Sequence, residues 1–120
     1  MAKHNITGCI GERIAVDYFR QKGYVILYKN WRHGRNEIDI IATSSNTTHF
    51  IEVKTRSAAK NTLPEHAVNV KKLKRIMTAA TFFLEINQHH THTIQFDILA
   101  IILKPTIQIR LIEDVYIYAV

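Results

Sequence analysis

The sequence lacks most features that mark secreted, membrane-embedded or multidomain proteins. A single cysteine, Cys9, excludes an intrachain disulfide framework and a zinc site built from several cysteines. The longest wholly aliphatic run, Ile98 to Leu103, has six residues, against the roughly 20 that a helix needs to cross a bilayer. Glu12, Arg13 and Asp17 interrupt any apolar stretch that could serve as a secretory signal. Internal repeats, low-complexity tracts and linkers rich in Gly, Pro or Ser are missing too. The 120 residues read as a single domain, 1–120, expected in the cytoplasm and away from membranes. Acids are also in short supply: 10 Asp and Glu face 16 Lys and Arg, a formal charge of +6 with histidines neutral. That excess on a small domain points to a polyanionic partner, most simply nucleic acid. With 47% hydrophobic and 22% charged residues the composition is otherwise that of an ordinary globular chain, which excludes wholesale disorder.

The periodicity places a first helix over about Thr7 to Lys22, with Ile10, Ile14, Ala15, Tyr18 and Phe19 on one face, Thr7 as its N-cap and Gly23 at its stop. Tyr24–Tyr28 reads as a strand and Asn30–Arg35 as a connection. Two strands follow, at about Glu37–Thr43 and Thr48–Thr55, joined by the turn-forming Ser44-Ser45-Asn46-Thr47. Arg56–Leu63 shows no period and reads as a loop, and Pro64 suits the approach to a helix reaching Asn87. Val70, Leu73, Ile76, Met77, Ala80, Phe83 and Leu84 form the apolar face of that helix. Gln88–His92 is a loop, Thr93–Leu103 a buried strand, and Thr106–Leu111 an alternating, half-buried one beyond Pro105. The order α-β-β-β-α-β-β implies one α/β layered domain.

The chemistry lies in the central hairpin. Residues two apart in a strand share a face, so Glu37 and Asp39 face together, as do Glu52 and Lys54. A turn centred between Ser45 and Asn46 sets Thr43 opposite Thr48, Ile41 opposite Phe50, Asp39 opposite Glu52 and Glu37 opposite Lys54. Like charges facing each other across a sheet are destabilising. Two carboxylates among Ile38, Ile40, Ile51 and Val53 therefore need positive charge, which Lys54 supplies in part. A divalent cation would supply the rest, and hard oxygen ligands suit Mg2+ or Mn2+. The plainer alternative is a cluster of salt bridges on a solvated sheet face.

Asp39 followed by Glu52-Val53-Lys54 on the next strand resembles the PD-(D/E)xK nuclease signature. The α-β-β-β-α-β order resembles a restriction-endonuclease-like core, with a mixed central sheet and an extra C-terminal strand. More specifically, the chain resembles the YraN-type family of small bacterial proteins, regarded as predicted endonucleases. The matching pieces are Gly8-x-x-Gly11-Glu12-x-x-Ala15, Gly23-Tyr24, Asn30-Trp31-Arg32, Glu37-Ile38-Asp39-Ile40-Ile41-Ala42, Phe50-Ile51-Glu52-Val53-Lys54-x-Arg56 and Phe96-Asp97, in family order. Asn36 stands where the family usually has glycine, and Gln95 where it usually has a basic residue. The resemblance implies a metal-dependent endonuclease with Asp39 and Glu52 as ligands of Mg2+ or Mn2+ and Lys54 positioning the water. A likeness to archaeal Holliday-junction resolvases adds Glu12 as a further metal ligand and branched or damaged DNA as substrate.

Glu37 is assigned a supporting place, either pairing with Lys54 or standing as a strand-edge charge. Arg32, Arg35, Arg56 and Lys60 flank the carboxylate strands in sequence and are the candidate DNA contacts. Lys71, Lys72, Lys74 and Arg75 form either a solvated helix face or a phosphate-contacting stripe. Trp31 suits packing better than base stacking, and His89, His90 and His92 a solvated loop better than a metal site. Asp97, in a buried strand, calls for an Arg or Lys partner. The competing function is a nucleic-acid-binding or scaffold module that keeps the nuclease fold without turnover. A homodimer completing the DNA groove is a third reading, with Ile107, Ile109 and Leu111 either pairing across it or packing within one chain.

Overall fold

A computed structural model describes residues 6–58, 70–87 and 93–115. They form α1 (Ile6–Gln21), β1 (Val25–His33), β2 (Asn36–Ser44), β3 (Thr47–Ala58), α2 (Val70–Asn87), β4 (Thr93–Lys104) and β5 (Gln108–Ile112). The strands make one mixed sheet in the order β1-β2-β3-β4-β5. β3 and β4 are parallel and the other neighbours antiparallel. A parallel pair needs a crossover, and α2 lies between β3 and β4 in the chain. The α-β-β-β-α-β-β order expected from the sequence is present, and it is that of a restriction-endonuclease-like core. No helix of the described residues is long and apolar enough to cross a membrane.

The sheet is covered on both sides. Ala15, Val16 and Phe19 of α1 pack with Ile40, Ala42, Ile51, Leu99 and Ile101. Leu73, Ile76, Ala79, Ala80 and Phe83 of α2 pack with Ile38, Ile41 and Phe50. Ile40 and Ile41, like Phe50 and Ile51, are sequence neighbours that point to opposite faces, as strand alternation requires. Ile38 and Ile40, two apart, nevertheless serve different faces. The alternation is therefore broken around Asp39.

α1 ends in a Schellman motif: the Tyr24 amide donates to the Phe19 carbonyl and the Gly23 amide to that of Arg20, each at 3.0 Å. Gly23 has φ 91°, which only glycine adopts at little cost. Gly11 is required for a different reason. A Cβ there would lie 1.8 Å from Oγ1 of Thr55, so its absence lets α1 sit directly on β3. The β2–β3 turn has Ser45 and Asn46 at φ 49° and 62°, a two-residue hairpin of the type that matches strand twist.

Several sequence expectations are corrected. α1 starts at Ile6, so Thr7 lies inside the helix and is not its N-cap. Its buried face is Gly11, Ala15, Val16 and Phe19, leaving Ile10 exposed. β1 runs on through Asn30–His33, read as a connection, because Trp31, Arg32 and His33 pair with Ile38, Glu37 and Asn36. A register shift between Ile26 and Tyr28 and a positive φ of 52° at Asn30 break the alternation that would have revealed it. β3 continues to Ala58 alongside β4, where a loop was expected from Arg56. Met77 is exposed at the margin of the apolar face of α2. The last strand, expected over Thr106–Leu111, runs from Gln108 to Ile112 and pairs with β4; its Leu111 packs on the α1 side, while Ile109 is exposed, as is Ile107 just before it. The beginning of the long helix, Lys60, Pro64 and His89, His90 and His92 lie outside the described residues.

Candidate active site

The β2–β3 ladder runs in the expected register from Ser44–Thr47 to Ile40–Ile51. Its described pairs stop there, one step short of Asp39 and Glu52. Past that point a side chain replaces the backbone: Oδ2 of Asp39 accepts the Val53 N–H at 2.8 Å. Asp39 thereby leans across to β3, where its carboxyl feels the charge of Glu52. The two acids line one cavity, brought there by the side-chain bridge to Val53 and not by ladder pairing.

Glu52 is buried, with its side chain 5% exposed. Two lysines attend it from different elements. Lys72 Nζ of α2 lies 2.5 Å from its Oε2, and Lys54 Nζ, two residues along β3, lies 4.0 Å from the same oxygen. The group opens into a cavity of about 180 Å3 lined by Arg35, Asn36, Glu37, Asp39, Glu52, Lys72, Arg75 and Ile76.

The charges disturb one another. The Asp39 carboxyl is held well above the usual carboxylate range, first by burial and then by the negative charge of Glu52, against the pull of the Val53 N–H and of Lys72. The Lys54 ammonium is pushed below the usual lysine value, first by burial and then by Lys72. Burial acts in the same direction on Lys72, but the charge of Glu52 and its hydrogen bond outweigh that, and Lys72 is raised. An acid that resists ionisation beside an amine that sheds its proton more readily is the kind of perturbed pair that collects at functional sites.

The donor set suits a hard divalent cation. Val53 engages one oxygen of Asp39 and the lysines one oxygen of Glu52, so each carboxylate keeps a second oxygen beyond those contacts. Mg2+ and Mn2+ bind through one or two carboxylates with waters and substrate phosphate making up the rest. Among the described residues no cluster of three or more His, Cys, Asp or Glu forms a metal-holding group, so a cation here would take two protein carboxylates.

Other expected site residues are placed differently. Glu12 lies outside this cluster: Oε1 accepts from Asn30 Nδ2 at 3.5 Å, and the residue lines a larger cavity of about 370 Å3 beside α1 and β1. Glu37 pairs with Arg32 at 3.4 Å and not with Lys54, because the β1–β2 register sets those two residues opposite each other. Arg32 is thus engaged along the sheet, whereas Arg35 lines the carboxylate cavity. Arg56 lies on β3, paired in register with Ile102 of β4. Trp31 packs edge-on against Phe83, as the packing reading required. Asp97 has a histidine, not an Arg or Lys, as its ionisable partner: its Oδ2 lies 2.8 Å from His49 Nδ1, and its Oδ1 accepts from Gln95 Nε2 and the Asp114 amide.

Sequence reasoning missed Lys72 and Arg75 as parts of this cavity, treating both as members of one basic helix face. Lys72 lies four residues before the buried Ile76 and next to the buried Leu73, at the border of the apolar stripe. A long side chain at such a border can run along the apolar surface and deliver its ammonium to the sheet. Lys71 and Lys74 lie further round and are exposed.

Residues 11–101 match the model of a family described as uncharacterised protein family UPF0102. A UPF0102 protein of Bacteroides fragilis is 40% identical over 104 residues, covering 87% of this chain and 85% of that protein. One of Syntrophus aciditrophicus is 38% identical over 117 residues, 97% of this chain and 92% of the relative. One of Chlorobium phaeobacteroides strain BS1 reaches 49% over 92 residues, 77% of this chain and 73% of its own length. The family match spans both carboxylate strands and α2, and the relatives cover most of the chain, so the protein belongs to the UPF0102 family, the YraN-type family that its ordered motifs resemble.

Proposed function

We propose that this protein is a metal-dependent nuclease that hydrolyses phosphodiester bonds in DNA, with branched or damaged duplexes as candidate substrates. The observation that carries the reading is the meeting of Asp39, Glu52 and Lys72 in one cavity with Arg35 and Arg75, with Lys54 4.0 Å from Glu52. Asp39 and Glu52 would hold Mg2+ or Mn2+. When bound, the cation lowers the pKa of a water and stabilises charge on the phosphate. Lys54 orients the attacking water. Arg35 and Arg75 hold non-bridging phosphate oxygens, and Arg32, Arg56 and Lys60 extend the contact along the backbone. Glu12 is the outlying member and acts on the site through Asn30, whose strand neighbours Lys29 and Trp31 pair with Ile40 and Ile38 on either side of Asp39.

The test is cleavage of linear, nicked and four-way DNA by purified protein, with and without Mn2+, beside Asp39→Ala and Lys54→Ala. Metal-dependent cleavage lost in both variants is expected. Equal cleavage by all three proteins would assign the activity to a contaminant. A second reading, a nucleic-acid-binding module without turnover, is favoured by one observation: Lys72 already compensates Glu52 within the chain. Salt-sensitive DNA affinity with no calorimetric Mn2+ binding would select it.

A further inference from the structure

Lys72 holds an unusual position for a surface-helix lysine. It reaches from α2, in the helical layer, to the buried carboxylate of Glu52 on the sheet. Lys54, the lysine of the motif, lies farther from the same oxygen. Of the two amines, Lys72 is therefore the charge that balances Glu52. Arg75, one helical step further along α2, lines the same cavity, so α2 presents both cations to the carboxylates.

We infer that Lys72 is the resident counter-ion of the Asp39–Glu52 pair and competes with the divalent cation for Glu52, so that metal entry moves its ammonium off the carboxylate and toward a substrate phosphate. This rests on the reading of Asp39 and Glu52 as a cation site. Three facts support it. The ammonium of Lys72 neutralises the carboxylate that a cation would bind, holding one of its two oxygens. Its side chain is 40% exposed, so it has room to turn outward without unfolding the helix. Leu73 and Ile76, which anchor this part of α2, are buried against the sheet by contacts of their own. A positive charge a few ångströms from a bound divalent ion opposes binding by more than a tenfold factor in affinity at an effective dielectric constant near 20. The chain would thus avoid an uncompensated buried acid before metal arrives, and would couple metal entry to phosphate capture.

The experiment is calorimetric titration with Mn2+ alone, without DNA, at mildly alkaline pH, on the wild-type chain and on Lys72→Met, Lys72→Arg and Asp39→Ala. Lys72→Met should bind Mn2+ roughly tenfold or more tightly than wild type. Lys72→Arg should stay near wild type, because it keeps the charge; circular dichroism checks that each variant is folded. Unchanged or weaker Mn2+ binding by folded Lys72→Met, with wild-type binding that Asp39→Ala abolishes, would overturn the counter-ion role and leave the cation site standing. Absence of binding in both wild type and Lys72→Met would overturn both. Binding by Lys72→Met alone would support the competition in its strongest form.

Discussion

Asp39→Asn should stabilise the protein while abolishing its proposed activity. Asn keeps an oxygen for the Val53 N–H and adds an amide that can donate to Glu52, so the local geometry has no reason to collapse. What disappears is the repulsion between two carboxylates. Unit charges about 4 Å apart repel by about 4 kcal/mol at an effective dielectric constant near 20. Lys72 offsets a lesser part of that, so a gain on the order of 2 kcal/mol, or a rise of roughly 8 °C in the unfolding midpoint, is expected. The pH dependence has a definite sign. The folded-state pKa of Asp39 is raised, so between the ordinary carboxylate value and that raised value the native state binds more protons than the unfolded chain. Stability from this group is full at acid pH and is lost as pH rises through the window. The advantage of Asp39→Asn should therefore appear at neutral pH and vanish under acid conditions. Saturating Mn2+ should also narrow it, by stabilising only the wild type. Thermal unfolding by circular dichroism across pH, with chelator or with Mn2+, provides the assay. Destabilisation of the variant at neutral pH in chelator, or a gain that persists in acid, would refute the electrostatic account.

Other substitutions probe separate parts of the argument. Gly11→Ala should destabilise by about 2 kcal/mol or more, because the new methyl collides with Thr55. The double variant Gly11→Ala/Thr55→Gly should recover part of that in denaturant titrations, and simple additivity would contradict the close approach. Asp97→Ala should cost about 2–4 kcal/mol, since it strips partners from buried His49, from Gln95 and from the Asp114 amide; a loss below about 0.5 kcal/mol would mean that the network contributes nothing. Arg35→Ala and Arg75→Ala should each weaken DNA binding and reduce the slope of log affinity against log salt by about one unit, and unchanged slopes would remove both arginines from the phosphate path.

The sequence carried the fold well where burial was one-sided or continuous. The α2 stripe, the aliphatic run of β4 and the turn at Ser45–Asn46 each oblige a single local structure, and the β2–β3 register followed from that turn. Irregular backbone was much harder to read. Half of β1 looked like a connection because the shift at Ile26–Tyr28 and the left-handed Asn30 erase its alternation. The same limit applied at the site. Alternation alone could place Asp39 near Glu52, but not the end of the ladder that lets the Asp39 side chain bridge to Val53. Contacts set by tertiary packing were invisible: Lys72 reaching Glu52 from α2, Glu37 answering Arg32, and His49 answering Asp97. Family resemblance supplied a role for Glu12 that spacing could not supply, and Glu12 is placed with Asn30, outside the carboxylate pair.

Diffraction from crystals of the wild-type protein soaked in Mn2+, recorded at a wavelength where manganese scatters anomalously, tests the cation site most directly. An anomalous peak bridging the carboxylates of Asp39 and Glu52, with Lys72 moved away from Glu52, is the predicted result. A peak elsewhere, or none at that pair while the Lys72–Glu52 contact persists at saturating Mn2+, would contradict it.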